Sequence, residues 1–253
     1  MNNRLSRRKL ITSGIAAAAG VAGLGAAAKL ADHYGLLAPD HGGIFGVGEA
    51  LTYGAQRILT ARGSMAREFR CNQISKVSPV NHGAPDYDPY LRLSFNDFVD
   101  WRLYVDGLVK RPTAFSLKDL KSLPSRTQIT QLACEEGWAY IAAWTGVPLS
   151  LILNLVGTKP NAKWVVFYPF NDFWGSIDMP EALHPQTLLA YAMNGGDLSP
   201  DHGAPVRLRI PRQLGYKNLK YIARIQLVES LKNIGDGNGS AAPDIGYSWY
   251  AGI

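Results

Sequence analysis

Cys134 is the residue of this chain whose type and setting most invite chemistry. It stands in Leu132-Ala133-Cys134-Glu135-Glu136-Gly137-Trp138-Ala139-Tyr140, at the end of a β-rich run and just before a Gly-Trp turn. A metal-binding thiolate needs a fixed direction and a lowered pKa. The strand end and turn supply the first, and a metal supplies the second. No second Cys and no His lies nearby in sequence, so the spacing is not that of a zinc site. From the residues alone two chemistries stay open. Cys134 ligates a metal that arrives with its own ligands, or it is a nucleophile with a distant base, His184 or His202. A disulfide to Cys71, the only other cysteine, is the purely structural alternative.

A second cluster runs from His202 to Lys220 and carries Arg207, Arg209, Arg212, Lys217 and Lys220 among several Gly and Pro turns. Cationic side chains together with free backbone amides suit an anionic group. A solvated strand face is the plain alternative.

The elements that must position these residues can be read from pattern. Alternation at Trp101, Leu103 and Val105 predicts a strand ended by the Asp106-Gly107 turn. Ser116 with Asp119 is a capping box that opens a helix ending before Pro124. Thr127 to Ala133 reads as the strand that delivers Cys134. Pro148 opens a helix over Leu149 to Val156, which Gly157 ends. Trp164 to Tyr168 is a buried strand, and Pro185 to Met193 is expected to be a helix. Val206 to Ile210 alternates, which places Arg207 and Arg209 on one face. Tyr221 to Val228 is the last strand. An upstream helix is expected over about Gly48 to Ile58. Residues 71–90 are either a polar ordered loop or a surface linker, and composition alone favours the linker. The tail from Asn233 reads as a Gly-rich loop that packs back through Tyr247, Trp249 and Tyr250. This mixture of helices and strands is α+β.

Ser6-Arg7-Arg8-Lys9-Leu10-Ile11 followed by an Ala/Gly-rich apolar run is a twin-arginine export signal. Its low hydrophobicity per residue argues against a membrane span. Export by that machinery carries folded, often cofactor-loaded, proteins and points to the periplasm. The full chain has 26 basic and 20 acidic residues. Cutting near Ala28 removes four of the basic ones and leaves 22 against 20. That balance makes no case for nucleic acid as a partner.

The motifs Cys-x-Glu-Gly-Trp (134–138), Trp-Thr-Gly-Val-Pro-Leu (144–149) and Gly-Ala-Pro-x-Arg-Leu-x-x-Pro (203–211), with Gly-Tyr-Lys at 215–217, resemble the oxidoreductase molybdopterin-binding domain. This is the sulfite oxidase-type fold, and the likeness runs from roughly Asn72 to Val228, strongest to exported bacterial members. It implies a molybdenum-molybdopterin cofactor with Cys134 as the protein ligand to the metal. It further implies cofactor contacts from Arg207, from Asn218, Leu219 and Lys220, from His202, and upstream from Asn72, Ser75 and Lys76. On this basis the chain divides into a signal at 1–31, an extension and cofactor-contacting loop at 32–95, the molybdopterin-binding domain at 96–230 and the tail at 231–253.

The chain departs from the family pattern at three places. Glu135 replaces the more usual Val, which puts a carboxylate beside the metal thiolate and makes it a second candidate catalytic residue. Pro169 falls where related reductases carry Thr. The arginines that follow the ligand Cys in sulfite oxidases proper are missing, which weakens sulfite as substrate. The sequence ends soon after the last pterin segment, so a single domain without the C-terminal dimerisation sandwich is expected. No haem-attachment Cys-x-x-Cys-His is present, so electrons need an external partner, a membrane cytochrome b or a periplasmic cytochrome. The leading expectation is oxygen-atom transfer to or from a small sulfur or nitrogen compound. A Cys134 thiol hydrolase or transferase and a non-catalytic pterin-binding protein are the alternatives.

Overall fold

The computed structural model describes residues 46–59 and 63–253. The stretch read as an export signal lies outside the described residues. No helix among those described is long and apolar enough to cross a membrane.

The fold is one mixed and one antiparallel sheet around one main core. Helix α1 (Gly46–Leu59) and helix α2 (Asp88–Phe95) precede β1 (Arg102–Gly107) and β2 (Thr113–Ser116). Helix α3 (Leu117–Ser122) leads to the hairpin β3 (Arg126–Ala133) and β4 (Ala139–Pro148), and α4 (Leu149–Val156) follows. Then come β5 (Trp164–Pro169), β6 (Gly175–Asp178), α5 (Met179–Ala182), β7 (Leu188–Met193) and β8 (Gly196–Asp197). Strands β9 (Arg207–Arg209) and β10 (Ile222–Val228) and the short α6 (Ala241–Asp244) complete the chain. The first sheet has the order β2-β1-β10-β5-β6, in which β1 and β10 are parallel. The second has the order β3-β4-β7-β8, with β9 paired to β7.

Local signals hold where local chemistry decides. The Ser116 hydroxyl accepts from the Asp119 amide at 3.0 Å and the Asp119 carboxylate accepts from the Ser116 amide at 2.8 Å, which closes the capping box. Gly157 ends α4 at φ 72°, a left-handed position that glycine takes without steric cost. Strand β5 is buried on both faces. Val165 and Phe167 enter the main core, and Val166 packs with Tyr53, Leu231, Trp249 and Tyr250. That double burial explains its unbroken apolar run.

Two expectations are corrected. The helix expected over Pro185 to Met193 is instead strand β7, inserted between β4 and β9. Its Leu188, Leu189 and Ala190 are fully buried. A continuous apolar run has no period that separates a helix from a buried strand, and pairing on both edges overrides the helix propensity of Leu and Ala. Gly146 permits that pairing, since a Cβ there would come within 2.2 Å of the Leu189 carbonyl oxygen. The linker favoured for 71–90 is in fact an ordered wall. The Ser75 amide donates to the Ile141 carbonyl at 2.9 Å and the Ile141 amide to Ser75 Oγ at 3.0 Å. Downstream, the Tyr221 hydroxyl donates to the Gly83 carbonyl at 3.0 Å.

The N-terminal helix and the C-terminal tail lock together against the first sheet. The Tyr53 hydroxyl donates to Asp178 at 2.7 Å, and Arg57 pairs with Asp178 and, at 3.2 Å, with Glu181. Arg212 donates to both Glu181 oxygens at 3.1 and 2.8 Å. Glu181 is fully buried, so it compensates two buried guanidinium groups. Glu181→Gln is expected to cost about 3–5 kcal/mol, because removing one partner leaves charge stranded in the interior. Urea denaturation measures this, and a loss under about 1 kcal/mol would be the surface-pair result.

Candidate active site

The hairpin between β3 and β4 presents Cys134. The Cys134 amide donates to the Trp138 carbonyl at 2.8 Å, and the Gly137 amide donates to the Cys134 carbonyl at 3.1 Å. Gly137 takes φ 92°, so the tight turn that Glu135 and Glu136 span needs a glycine at that place. The thiol is 6% exposed and opens into a cleft of about 480 Å³. Glu135, Trp138, Tyr140, Tyr216 and Tyr247 share that lining. Cys71 is exposed and both thiols are free, so the disulfide alternative falls.

The second cluster faces the same cleft. Arg207 and Lys220 line it together with His202, Asn218 and Leu219. Arg207 donates to the His202 carbonyl at 2.8 Å and to the Asn218 carbonyl at 3.0 Å, and its guanidinium lies 5.0 Å from the centre of the Trp144 ring. Lys220 donates to the Asp201 carbonyl at 3.0 Å and to the His82 carbonyl. Asn218 braces the segment: its Oδ1 accepts from Arg209 at 2.6 Å and from the Ile210 amide at 2.7 Å. Gly203 at φ 105° lets this group close, since a Cβ there would lie 2.9 Å from Lys220 Cβ and 3.2 Å from Arg207 Cβ.

Of the ten residues singled out from sequence, seven line the cleft: Cys134, Glu135, His202, Arg207, Asn218, Leu219 and Lys220. Asn72, Ser75 and Lys76 do not border it. Asn72 and Lys76 are exposed, and Ser75 anchors the loop that later supplies Asn81 and His82 to the wall. Sequence reading passed over Tyr140, Tyr216 and Tyr247. Tyr140 carries a usable signal, because it shares its β4 face with Ala142 and Trp144 at period two, with Trp138 just before the strand. Tyr216 lies within the Gly-Tyr-Lys motif and Tyr247 in the tail expected to pack back, but their meeting at the cleft is set by a long-range fold-back.

Charge is distributed unevenly here. Among the described residues, Arg207, Arg209 and Lys220 form no ion pair with a carboxylate. Burial, then the neighbouring Arg207, pushes Arg209 down to about 9 and Lys220 down to about 8. Burial also lowers His202, with Arg207 and Lys220 adding to the effect, which keeps its imidazole neutral at pH 7. Burial, then the Glu135 carboxylate, pushes the Cys134 thiol up to about 11. Such a thiol is no activated nucleophile. Of the two bases of the hydrolase alternative, His184 is engaged elsewhere: its Nε2 lies 3.1 Å from the Ser64 carbonyl and its Nδ1 accepts from the Gln186 amide. His202 shares the cleft with Cys134, whose thiol contacts the Glu135 carboxylate.

A pH prediction follows from Lys220. The unfolded chain holds this proton to about the ordinary 10.5, and the folded chain releases it near 8. The unfolded state therefore binds more protons in between, and stability of cofactor-free protein rises from pH 8 toward 10. Thermal melts across this range should show the rise, and Lys220→Met should flatten its lower part. A melting temperature that falls from pH 8 to 9 in the parent would contradict it.

Residues 92–233 match the family described as the oxidoreductase molybdopterin binding domain. The chain belongs to that family. Among curated proteins it is 42% identical over 156 residues to a protein of Azospira oryzae named "Putative protein-methionine-sulfoxide reductase subunit YedZ1", covering 62% of this chain and 57% of the relative. It is 36% identical over 191 residues to the protein-methionine-sulfoxide reductase catalytic subunit MsrP of Xanthomonas axonopodis pv. citri, covering 68% and 59%. The chain thus spans just under three fifths of the length of these relatives. The crystal structure of the sulfane dehydrogenase SoxCD from Paracoccus pantotrophus superposes with a TM-score of 0.51 at 25% identity, covering 57% of this chain and 40% of that one. The fold is therefore the sulfite oxidase-type molybdopterin fold.

The residues present fit the family's cofactor. Arg207 Nε is buried without a partner at the cleft, and a buried cationic group with no carboxylate asks for an anion such as the cofactor phosphate. No three His, Cys, Asp or Glu side chains gather to hold a metal among the described residues. A metal at Cys134 must then bring further ligands with it, as a pterin dithiolene does. The raised thiol pKa counts against the second of the two chemistries left open at Cys134.

Proposed function

We propose that this chain is a molybdenum-dependent oxidoreductase that transfers an oxygen atom to or from a small sulfur or nitrogen compound. One observation carries this reading: the Cys134 thiol and the uncompensated cations Arg207 and Lys220 open into one cleft. Cys134 would ligate the metal. Arg207 and Lys220 would neutralise the cofactor phosphate, and Asn218 would hold the backbone that meets it. When bound, the cofactor supplies a two-electron couple and the capacity to give or take one oxygen atom.

The protein's own contribution is placement, desolvation and proton handling. Glu135 Oε2, 3.5 Å from Cys134 Sγ and partly exposed, is placed to relay to solvent the proton that leaves the thiol on ligation, and so stays ionised afterwards. Trp138 and Tyr140, stacked at 6.1 Å, wall the cleft and limit water beside the thiolate. His202, held neutral, offers a hydrogen-bonding ring without adding a further cation.

Both curated relatives are named as subunits. In keeping with that, the chain would draw or deliver electrons through an external partner, a membrane cytochrome b or a periplasmic cytochrome. Its Arg7-Arg8 signal would take it, loaded, to the periplasm through the twin-arginine machinery. Sulfoxides, N-oxides and sulfite offered to purified, dye-coupled protein test the reaction class. Turnover of at least one sulfur or nitrogen compound, with a Mo(V) signal on redox titration, is expected. Loaded protein that turns over none and shows no such signal would leave a pterin-binding protein without catalysis.

A further inference from the structure

The cleft contains two contact groups of opposite character. One is the cationic pair Arg207 and Lys220 with the neutral ring of His202 beside it, whose fit is to a phosphate. The other surrounds the reactive sulfur. There the Gly215 backbone presses on the hairpin, since a Cβ at Gly215 would lie 3.3 Å from Cys134 Cα and 3.5 Å from Glu135 Oε2. The next residue, Tyr216, has its ring centre 5.1 Å from that of Tyr247 and donates its hydroxyl to the Ser248 carbonyl at 2.7 Å. The sulfur end thus has a carboxylate and an aromatic wall.

The wall belongs to the C-terminal tail, and the tail is firmly placed. The Leu214 amide donates to the Ala251 carbonyl at 2.9 Å and the Ile253 amide to the Arg212 carbonyl at 3.0 Å. Trp249 Nε1 donates to Ser176 Oγ at 2.8 Å. Held this way, Ile245 and Tyr247 stand at the cleft yet stay 68% and 40% exposed. Large apolar side chains left open at the rim of a concave site suit the apolar body of a ligand. Both lie past residue 233, where the family match ends. The two acids beside the sulfur differ in freedom. The Glu136 carboxylate accepts from Trp138 Nε1 at 2.8 Å, whereas the hydrogen-bonding contact of the Glu135 carboxylate is the Cys134 thiol itself.

We propose that Glu135 and Tyr247 determine substrate specificity, selecting an organic sulfur or nitrogen oxide, or its reduced form, with an apolar body and a positive or neutral substituent. Anionic substrates are rejected by Glu135. This rests on the oxidoreductase reading above and adds the charge and shape of its substrate.

The test uses the molybdenum-loaded full chain and two matched probes, 4-(aminomethyl)phenyl methyl sulfoxide and 4-carboxyphenyl methyl sulfoxide. Calorimetry without reductant gives their dissociation constants, and dye-coupled assays with the sulfoxides and the matching sulfides give kcat/KM. The cationic probe should bind at least about tenfold more tightly, from one uncompensated charge at short range in a partly screened cleft. Glu135→Gln should bring the two within about threefold, and Glu136→Gln should change the ratio less. Tyr247→Ala should weaken both probes alike, with thermal melts confirming that each variant folds. Equal affinities in the parent, a ratio untouched by Glu135→Gln, or no binding of either probe overturns the proposal. Discrimination in binding without turnover of any compound would sustain these two assignments and sink the oxidoreductase reading instead.

Discussion

Cys134→Ser protein is expected to fold and to lose its activity. The side chain is nearly isosteric, and its hydrogen-bonding contacts are a weak one to the Glu135 carboxylate at 3.5 Å and one to the Glu136 backbone, which a hydroxyl can also make. The hairpin around it is held by backbone bonds of Cys134, Gly137 and Trp138, which the substitution leaves alone. Stability should therefore fall by no more than about 1–2 kcal/mol, the cost of a small polar change at a buried site. A hydroxyl near its ordinary pKa does not replace a thiolate. Even residues that only orient metal ligands cost 10–100-fold when removed, so loss of the ligand itself should exceed roughly 100-fold. Steady-state kinetics with a thermal melt on the same sample checks both halves. Retained activity would remove Cys134 as the metal ligand, and an unfolded variant would assign it to the core.

Arg207→Met separates cofactor retention from folding. Arg207 is 4% exposed, stacks on Trp144 and donates to two carbonyls. A methionine keeps much of its apolar volume. The lost hydrogen bonds cost about 1–3 kcal/mol. Against that, the swap removes the cation that depresses Arg209 and Lys220. The net change in cofactor-free protein should be within about 1–2 kcal/mol, because a binding site that gathers like charges stores strain the ligand relieves. Loaded protein should behave differently. Arg207→Met should purify with less than about a tenth of the parent's cofactor, one lost charge-assisted anchor being worth more than a factor of ten. Full loading in Arg207→Met would move the phosphate elsewhere, and collapse of the cofactor-free fold would make Arg207 a structural cation.

What could be read in sequence follows the range over which each feature is determined. The Ser116–Asp119 cap and the Gly157 stop depend on neighbours within four residues, and both stand as expected. Cys134 was legible because a turn, itself local, aims it. Arg207 and Arg209 were legible because strand alternation puts them on one face; both guanidiniums flank the Trp144 ring, at 5.0 and 5.3 Å. Strand β7 was misread because its partners, β4 and β9, lie far off in the chain and its own residues have no period. The wall from residue 75 to 84 stays undecided between ordered loop and linker in sequence for a similar reason. Its order comes from Ile141, Asp201 and Tyr221, none of which its polar composition can announce. Tyr247 joins the site through the tail, which α1 also grips: Gln56 accepts from the Gly252 amide at 3.1 Å. A motif cannot encode a contact across almost two hundred residues.

The central claim is that Cys134 and the cationic cluster together hold a molybdenum cofactor. Molybdenum per polypeptide, measured by elemental analysis on full-length protein made alongside its maturation machinery, tests it most directly. About one metal per chain in the parent is the predicted result, falling together with bound pterin in Arg207→Met. Metal-free parent protein with undiminished redox activity would contradict it.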